Sequence, residues 1–113
     1  MNLAKEQYGD IIVINLEGDV MGGPEAVRLN EEINRLLDEG NLQVVLDLGR
    51  VKRMNSSGLG ILINALTTFK QNGGDLKLAG PTPLVKNLLN ITRLDEIFEA
   101  YEDRESAIDS FQV

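Results

Sequence analysis

The chain has 113 residues, of which 42% are hydrophobic and 26% charged, and its formal net charge is −7 at pH 7. This length fits a single domain spanning residues 1–113. The acidic balance argues against nucleic-acid binding, which needs clustered Lys and Arg. Since histidine and cysteine are both absent, the most common general base, the most common metal ligand and all thiol chemistry are missing. Composition therefore favours a non-enzymatic protein without a metal or a cofactor.

The hydropathy pattern of the chain indicates where in the cell the protein is found. No apolar run approaches the ~20 residues that cross a bilayer, and the first residues lack the apolar core of a secretory signal. These features predict a cytoplasmic protein without direct membrane insertion. No sustained heptad pattern or additional apolar helix is present, which favours a monomer.

The first half of the chain alternates extended and helical patterns. β-branched residues between the turn signal Gly9-Asp10 and Gly18 are typical of a buried strand. Apolar residues at helical spacing follow Pro24 and continue to the helix stop Gly40. The predicted elements are strands at about 2–7 and 11–17, a helix from Pro24 to about Glu39, a strand at 43–48, and a connection over 49–54. Asp47, within the last strand, is expected to be a satisfied carboxylate rather than a catalyst.

The second half continues the alternation, which predicts one α/β domain with parallel strand pairing. Thr82 and Pro83 have the residue types of a helix cap and a first helical position. The predicted elements are a helix from about 56 to 72, a strand at 75–79, a helix beginning at Thr82, a strand at 97–101 and a helix at 103–111. The predicted apolar faces are Leu59, Leu62, Ile63, Leu66 and Phe69 in one helix and Leu84, Val85, Leu88 and Leu89 in the next.

The segment Asn55-Ser56-Ser57-Gly58-Leu59-Gly60 stands at the predicted start of the second helix. Hydroxyls at a helix start lie near unpaired N–H groups and the positive end of the helix dipole, where a phosphate would be stabilised. The simpler interpretation is that Asn55 or Ser56 only caps the helix. Gly58 and Gly60 favour a further role, because each costs about 1 kcal/mol relative to Ala inside a helix.

Nucleotide binding and catalysis are weaker interpretations of the same segment. Gly58-x-Gly60 lacks the Lys-Ser/Thr pair and the third glycine of nucleotide-binding loops, and the Gly-x-Ser-x-Gly of a nucleophile elbow is absent. An enzyme using a pocket near Ser56 would have only carboxylates, Lys or Tyr as titratable groups. The tight basic group Arg50, Lys52 and Arg53 lies just upstream and could offset an added phosphate.

A second candidate is the glycine-rich stretch 17–23, predicted to be a loop between a strand and a helix. The simpler interpretation is a plain connection. In the functional interpretation, Asp19, Val20, Met21 and Gly22 contact a partner. Both this loop and Ser56 follow the carboxyl ends of strands, where ligands usually bind in open α/β sheets.

These residues resemble the STAS domain, the family of bacterial anti-sigma factor antagonists, from about Lys5 to Ile108. The resemblance lies in Leu16-Glu17-Gly18, Val44-Val45-Leu46-Asp47-Leu48, Asn55-Ser56-Ser57-Gly58-Leu59-Gly60-Ile61-Leu62, Gly73-Gly74-Asp75-Leu76-Lys77-Leu78 and Val85-Lys86-x-Leu88. It implies a mixed sheet of about four or five strands flanked by about four helices. It also implies no enzymatic activity.

The resemblance implies partners and a switch. Family members bind an anti-sigma factor that is also a serine kinase of the histidine-kinase-like ATPase fold, which frees the sigma factor. Phosphorylation by that kinase ejects the antagonist, and a metal-dependent serine/threonine phosphatase resets the cycle. The acceptor is the hydroxyl residue that directly follows an Asp, which corresponds to Ser56 here.

Two positions depart from the family pattern. The family Asp is Asn55, which caps a helix about as well but lacks the charge that could guide a kinase. Many members have Leu-Asp after the residue equivalent to Gly18, whereas this chain has Asp19-Val20-Met21-Gly22-Gly23. The alternative function is therefore a constitutive STAS adaptor in a signalling or membrane-transport complex.

Overall fold

The computed structural model describes residues 1–112, which form a five-stranded sheet with helices on both faces. The strands are β1 (Asn2–Tyr8), β2 (Ile11–Val20), β3 (Gln43–Met54), β4 (Asp75–Ala79) and β5 (Ala100–Tyr101). The helices are α1 (Pro24–Asp38), α2 (Ser56–Gln71), α3 (Pro83–Ile91) and α4 (Arg104–Phe111), with a 3-10 turn at Leu94–Glu96. The predicted α/β class and mixed sheet are confirmed.

The strands lie in the sheet in chain order, β1-β2-β3-β4-β5. β1 and β2 form an antiparallel hairpin around Gly9, whereas every later neighbouring pair is parallel. Two parallel neighbouring strands begin at the same end of the sheet, so the chain must cross back between them. In each case here that crossover contains a helix. The predicted mixed sheet is therefore confirmed: the pairs joined through helices are parallel, and the pair joined by the turn at Gly9-Asp10 is antiparallel.

Successive residues of β2 face opposite sides of the sheet and supply two cores. Ile12, Ile14 and Leu16 lie in the larger core with the buried residues of α1, α2 and α3. Ile11 and Val13 lie in a smaller core with Ala107 and Ile108 of α4. The three connecting helices thus share one face, and the last helix covers part of the other.

Two predicted connections are in fact strand. β2 continues through Gly18 to Val20, and β3 continues through Gly49 to Met54, because the two extensions pair with each other. Register shifts between Asn15 and Glu17 and between Gly18 and Asp19 interrupt this pairing. Gly18 has a φ of 91°, a conformation that suits glycine at a bulge. Gly18 therefore marks an irregularity within a longer ladder, whereas Gly22 and Gly23 lie in the loop that follows it.

Three smaller predictions are wrong. The predicted strand at 97–101 is reduced to Ala100–Tyr101, because a 3-10 turn at Leu94–Glu96 precedes it. Ile63 and Leu84, both predicted on apolar faces, are exposed. In α2 the buried stripe is completed by Ile61 and Ala65 instead, which lie closer to the centre of the face that contacts the sheet.

Arg104 ties α4 to the open part of the sheet. Its guanidinium donates to the carboxylates of Glu6 (2.9 Å) and Asp47 (2.9 Å) and to the side-chain oxygen of Asn15. Asp47 also accepts the backbone N–H of Gly49 at 2.9 Å. Hydrogen bonds from the Tyr8 hydroxyl and from Arg104 hold the pKa of Glu6 below its ordinary value. Asp47 is therefore a satisfied carboxylate, as its position in the sequence suggested.

Candidate functional site

Asn55 is the residue that caps α2. Its backbone is extended (φ −117°, ψ −174°), and its side-chain oxygen accepts the backbone N–H of Gly58 at 2.9 Å. Ser56 and Ser57 are consequently the first two helical residues, and both are exposed. Within residues 1–112 neither serine hydroxyl makes a hydrogen bond. Capping therefore does not occupy either serine hydroxyl.

Gly58 brings α2 into direct contact with β2. A Cβ added at Gly58 would lie 2.0 Å from the carbonyl oxygen of Val20 and 2.9 Å from Cγ of Met54. No real side chain fits those distances, so the first turn of α2 can pack there only with glycine. This close approach explains the helix-interior glycine without reference to any partner.

Gly60 has no such explanation. It is exposed, and a Cβ added to it would meet no atom within 4 Å. The lost helix propensity of about 1 kcal/mol relative to Ala is therefore not offset by packing in this chain. The two glycines of the segment thus differ: Gly58 is required by the fold, and Gly60 leaves open space on the surface.

The loop before α1 lies against the start of α2. Gly22 has a φ of 97°, and a Cβ added there would lie 2.8 Å from Cβ of Ser57. The structure therefore brings the two segments that we singled out in the sequence to one place at the edge of the sheet. Asp19 takes part through an ion pair with Arg53 (2.5 Å), which holds the pKa of Asp19 below its ordinary value through that hydrogen bond.

Not every predicted contact residue is accessible. The side chains of Val20 and Leu59, and Gly58 itself, are buried, because they form the junction between α2 and the sheet. These three residues therefore position the exposed residues of the segment but cannot contact a partner themselves. Asn55, Ser56, Ser57, Gly60 and Met21 are exposed, and Asp19 and Gly22 are half-buried.

Two exposed apolar residues extend this surface and were not predicted. Val27 on α1 is 56% exposed and Ile63 on α2 is 37% exposed. The two helices are joined beside them by a hydrogen bond from Asn64 to Asn30 (2.8 Å). Ser56, Gly60 and Ile63 have the spacing of one helix face. We call the set Met21, Val27, Ser56, Ser57, Gly60 and Ile63 the α2 surface.

The side chains of the α2 surface are themselves uncharged, and the nearest carboxylate shown is Glu25, which accepts the backbone N–H of Met21 at 3.0 Å. Helix α2 has no acidic residue in its first turn, and Lys70, in its last turn, is its one charged residue. Of the upstream basic group, Arg53 is paired with Asp19, and Arg50 lies 3.8 Å from Glu17. The prediction that this group offsets an added phosphate therefore depends mainly on Lys52. A phosphate on Ser56 would therefore add a charge to a set of side chains that has none.

The cap itself can be tested. We expect Asn55→Ala to lower the free energy of unfolding by about 1 kcal/mol, because the N–H of Gly58 loses its acceptor. Asn55→Asp should leave that free energy nearly unchanged, since a carboxylate accepts the same bond and suits the helix dipole. Urea unfolding followed by circular dichroism measures both. Equal losses for the two variants would contradict the capping role.

A polar cleft lies on the face of the sheet away from α2. It has a volume of about 250 Å³ and is lined by polar side chains that include Glu6, Asn15, Asp47 and Arg104. Residues 55–60 line neither this cleft nor the two shallower ones. None of these three clefts lies beside Ser56. Within residues 1–112 no helix combines the length and the apolar character needed to cross a membrane.

Comparison with known proteins connects this geometry to a family. The model of the STAS domain matches residues 2–107. BtrV of Bordetella bronchiseptica, which is named as an anti-sigma factor antagonist, is 30% identical over 112 residues, covering 99% of this chain and 96% of BtrV. The family match covers nearly the whole sheet and all of the α2 surface.

Solved structures share the fold. A crystal structure of the anti-sigma factor antagonist TM1081 of Thermotoga maritima superimposes with a TM-score of 0.89 at 21% identity, covering 98% of this chain and 95% of that one. The Bacillus cell fate determinant SpoIIAA in its phosphorylated form gives 0.75 at 20% identity, covering 97% and 99%. From the family match, the whole-length relative and the common fold, the chain belongs to the STAS domain family.

Proposed function

We propose that this protein is an anti-sigma factor antagonist. It binds an anti-sigma factor that is also a serine kinase, releases a sigma factor by doing so, and loses affinity when Ser56 is phosphorylated. It acts in the cytoplasm and has no catalytic activity of its own. The observation that supports this most directly is the α2 surface. Two serine hydroxyls at a helix start make no hydrogen bond to any of residues 1–112, and exposed apolar residues and an exposed glycine lie beside them.

The surface has the composition of a protein contact. Met21, Val27 and Ile63 expose apolar side chains, and the uncharged first turns of α2 beside them lower the desolvation penalty on binding. Only a partner as large as a protein covers two helices and a loop together. The resemblance and the relative BtrV both indicate that this partner is an anti-sigma factor.

Of the two serines, Ser56 is the proposed acceptor. Ser57 faces the loop, as its Cβ lies where a side chain on Gly22 would have to stand. A phosphate on Ser57 would crowd that loop, whereas the resemblance assigns the acceptor role to the residue directly after Asn55. Helix-start N–H groups near Ser56 would stabilise the modified form.

Phosphorylation would weaken binding through charge and size. A phosphate adds a charge of about −1.5 to −2 at neutral pH, in the middle of a surface that is otherwise nearly neutral. Burying that charge against an apolar or acidic partner face is unfavourable. Only about 1.4 kcal/mol is needed for a tenfold loss of affinity. A metal-dependent serine/threonine phosphatase would then restore binding.

Site mapping tests the switch. We expect a purified anti-sigma factor kinase, incubated with ATP and this protein, to add one phosphate, and mass spectrometry to place it on Ser56. Ser56→Ala should abolish the modification, and the matched variant Ser57→Ala should retain it. Modification of Ser56→Ala would refute the assignment. Stable association without any phosphorylation, unchanged in Ser56→Asp, would identify a constitutive adaptor instead.

The same phosphorylation assay also tests whether the uncharged cap Asn55 limits recognition by the kinase. Asn55→Asp restores the carboxylate that the family pattern places before the acceptor. If a kinase uses that charge, the variant is phosphorylated faster than the wild type while its unfolding free energy stays the same. Equal rates would show that Asn55 does not limit recognition.

A further inference from the structure

The loop that joins β2 to α1, residues 21–23, lies at the edge of the α2 surface. Met21 is 39% exposed there, and Gly22 packs against Ser57, since a Cβ added at Gly22 would lie 2.8 Å from Cβ of Ser57. Gly22 and Gly23 have φ angles of 97° and 66°, which side chains other than that of glycine disfavour. Two consecutive glycines have many accessible conformations, so this loop needs contacts outside itself to keep the observed one.

The carboxylate of Glu25 supplies such a contact. Glu25 is the second residue of α1, and its Oε2 accepts the backbone N–H of Met21 at 3.0 Å. The residue at the cap position is Gly23, which has no side chain to cap the helix. The hydrogen bond from Met21 holds the pKa of Glu25 below its ordinary value, so the carboxylate is ionised at neutral pH. Glu25 therefore ties the loop to the helix that follows it.

Strand β2 fixes the chain just before the loop. Val20 is the last residue of β2 and pairs with Met54 of β3. Met21 is the next residue and lies outside the strand, and its N–H is the one that Glu25 accepts. The hydrogen bond is thus made at the first residue that the sheet no longer holds, and it leaves only two glycines between that residue and α1.

We propose that Glu25 is a positioning residue for the anti-sigma factor: it holds the N–H of Met21 and so keeps residues 21–23 in place on the α2 surface before the partner binds. This inference rests on the proposed function, because it concerns how the same surface is prepared for contact. A loop that is already ordered loses less conformational freedom on binding, so the complex is tighter. Glu25 acts through Met21 rather than by its own contact with the partner.

The negative charge of Glu25 offers a competing explanation. A carboxylate in the first turn of α1 interacts favourably with the helix dipole, and Oε1 of Glu25 lies 3.2 Å from the α-amino nitrogen of Met1. Both of these effects need the charge, whereas the hydrogen bond from Met21 needs only an acceptor oxygen. Glutamine keeps such an oxygen and lacks the charge, so Glu25→Gln separates the two explanations.

Nuclear magnetic resonance of the ¹⁵N-labelled protein without a partner tests the loop first. The ¹H–¹⁵N heteronuclear NOE reports how rigid each amide is on the picosecond-to-nanosecond timescale. We expect Glu25→Ala to lower the NOE of residues 21–23 and to leave that of β2 and α2 unchanged, whereas Glu25→Gln should match the wild type. An unchanged NOE in Glu25→Ala would overturn the proposal, because the loop would then be ordered without this hydrogen bond.

Isothermal titration calorimetry with the purified anti-sigma factor tests the consequence for affinity. Glu25→Ala should weaken binding about fivefold, the scale of ordering a short loop, and Glu25→Gln should bind as the wild type does. Glu31→Ala is the matched control, since Glu31 is an exposed carboxylate on the same helix, and it should also keep wild-type affinity. Equal losses in Glu25→Ala and Glu25→Gln would overturn the proposal in favour of the charge.

The positioning role and the proposed function fail in different ways. If the wild type binds the anti-sigma factor and Glu25→Ala binds equally well, the positioning role is wrong and the proposed function stands. If the wild type does not bind, the proposed function is wrong, and the positioning role for that partner is overturned with it.

Discussion

Gly58→Ala lowers the free energy of unfolding by about 3 kcal/mol, the upper end of the usual cost of overpacking, and this is the largest stability effect that we expect from a single added methyl group. The new Cβ would lie 2.0 Å from the Val20 carbonyl oxygen. The oxygen belongs to the backbone and the Cβ is fixed directly to the helix backbone, so relief requires the whole first turn of α2 to move away from β2. Urea unfolding followed by circular dichroism measures the loss.

The matched control is the same substitution two residues later. Gly60→Ala adds the same methyl group to the same helix, where it meets no atom within 4 Å. It should raise the free energy of unfolding by about 0.5–1 kcal/mol, since alanine favours helix and restricts the unfolded chain. Opposite signs for the two variants are the expected result. A similar change in both would mean that the close contact at Gly58 is not what requires glycine.

The second large effect that we expect is on the affinity for the anti-sigma factor, and it results from substitution of Gly60. We expect Gly60→Ala to weaken binding of the anti-sigma factor about tenfold, equivalent to about 1.4 kcal/mol, even though the free protein becomes more stable. An exposed glycine lets another backbone approach the helix more closely than any side chain permits. Gly60→Leu should weaken binding further, because the longer side chain holds the partner away from its place.

Isothermal titration calorimetry of the variants with the purified anti-sigma factor measures this effect. Thr67→Ala provides the control, as Thr67 is also exposed on α2 but lies two turns beyond Gly60. Its affinity should match the wild type. If Gly60→Ala and Thr67→Ala both bind as the wild type does, the space above Gly60 is not part of the contact.

Local sequence signals identified most helix starts. Thr82 is the predicted cap of α3, and its hydroxyl accepts the N–H of Val85. The helix predicted at 103–111 begins one residue later, because Asp103 is its cap and accepts the N–H of Ser106. Such signals are reliable because the cap and its target lie within three or four residues. Pro24 similarly marks the start of α1. The α/β order and the STAS resemblance followed from the same local patterns.

Features set by distant parts of the chain were not predictable. The ends of β2 and β3 are strands only because they pair with each other through a shifted register, and no short-range pattern encodes that pairing. The sequence likewise does not separate Gly58 from Gly60, because the difference depends on the position of Val20. The same holds for Ile91, whose exposure depends on what packs around α3.

Some features of the candidate site were predictable from the sequence, and others were not. The position of Asn55, Ser56 and Gly22 at one edge of the sheet was expected from topology, since the loops after parallel strands meet there. The burial of Val20 and Leu59 was not, because it follows from how closely α2 approaches β2. Val27 gave no signal, as single apolar residues on helices are common at protein surfaces. Ile63 was predicted on the buried face of α2, because its helical spacing does not show how far that face extends.

The switch at Ser56 is tested most directly by one affinity comparison. The purified anti-sigma factor kinase is titrated with the unphosphorylated protein and with protein quantitatively phosphorylated on Ser56. We predict clear binding of the first and at least tenfold weaker binding of the second. Equal affinities of the two forms, or no binding of the unphosphorylated form, would contradict the proposed function.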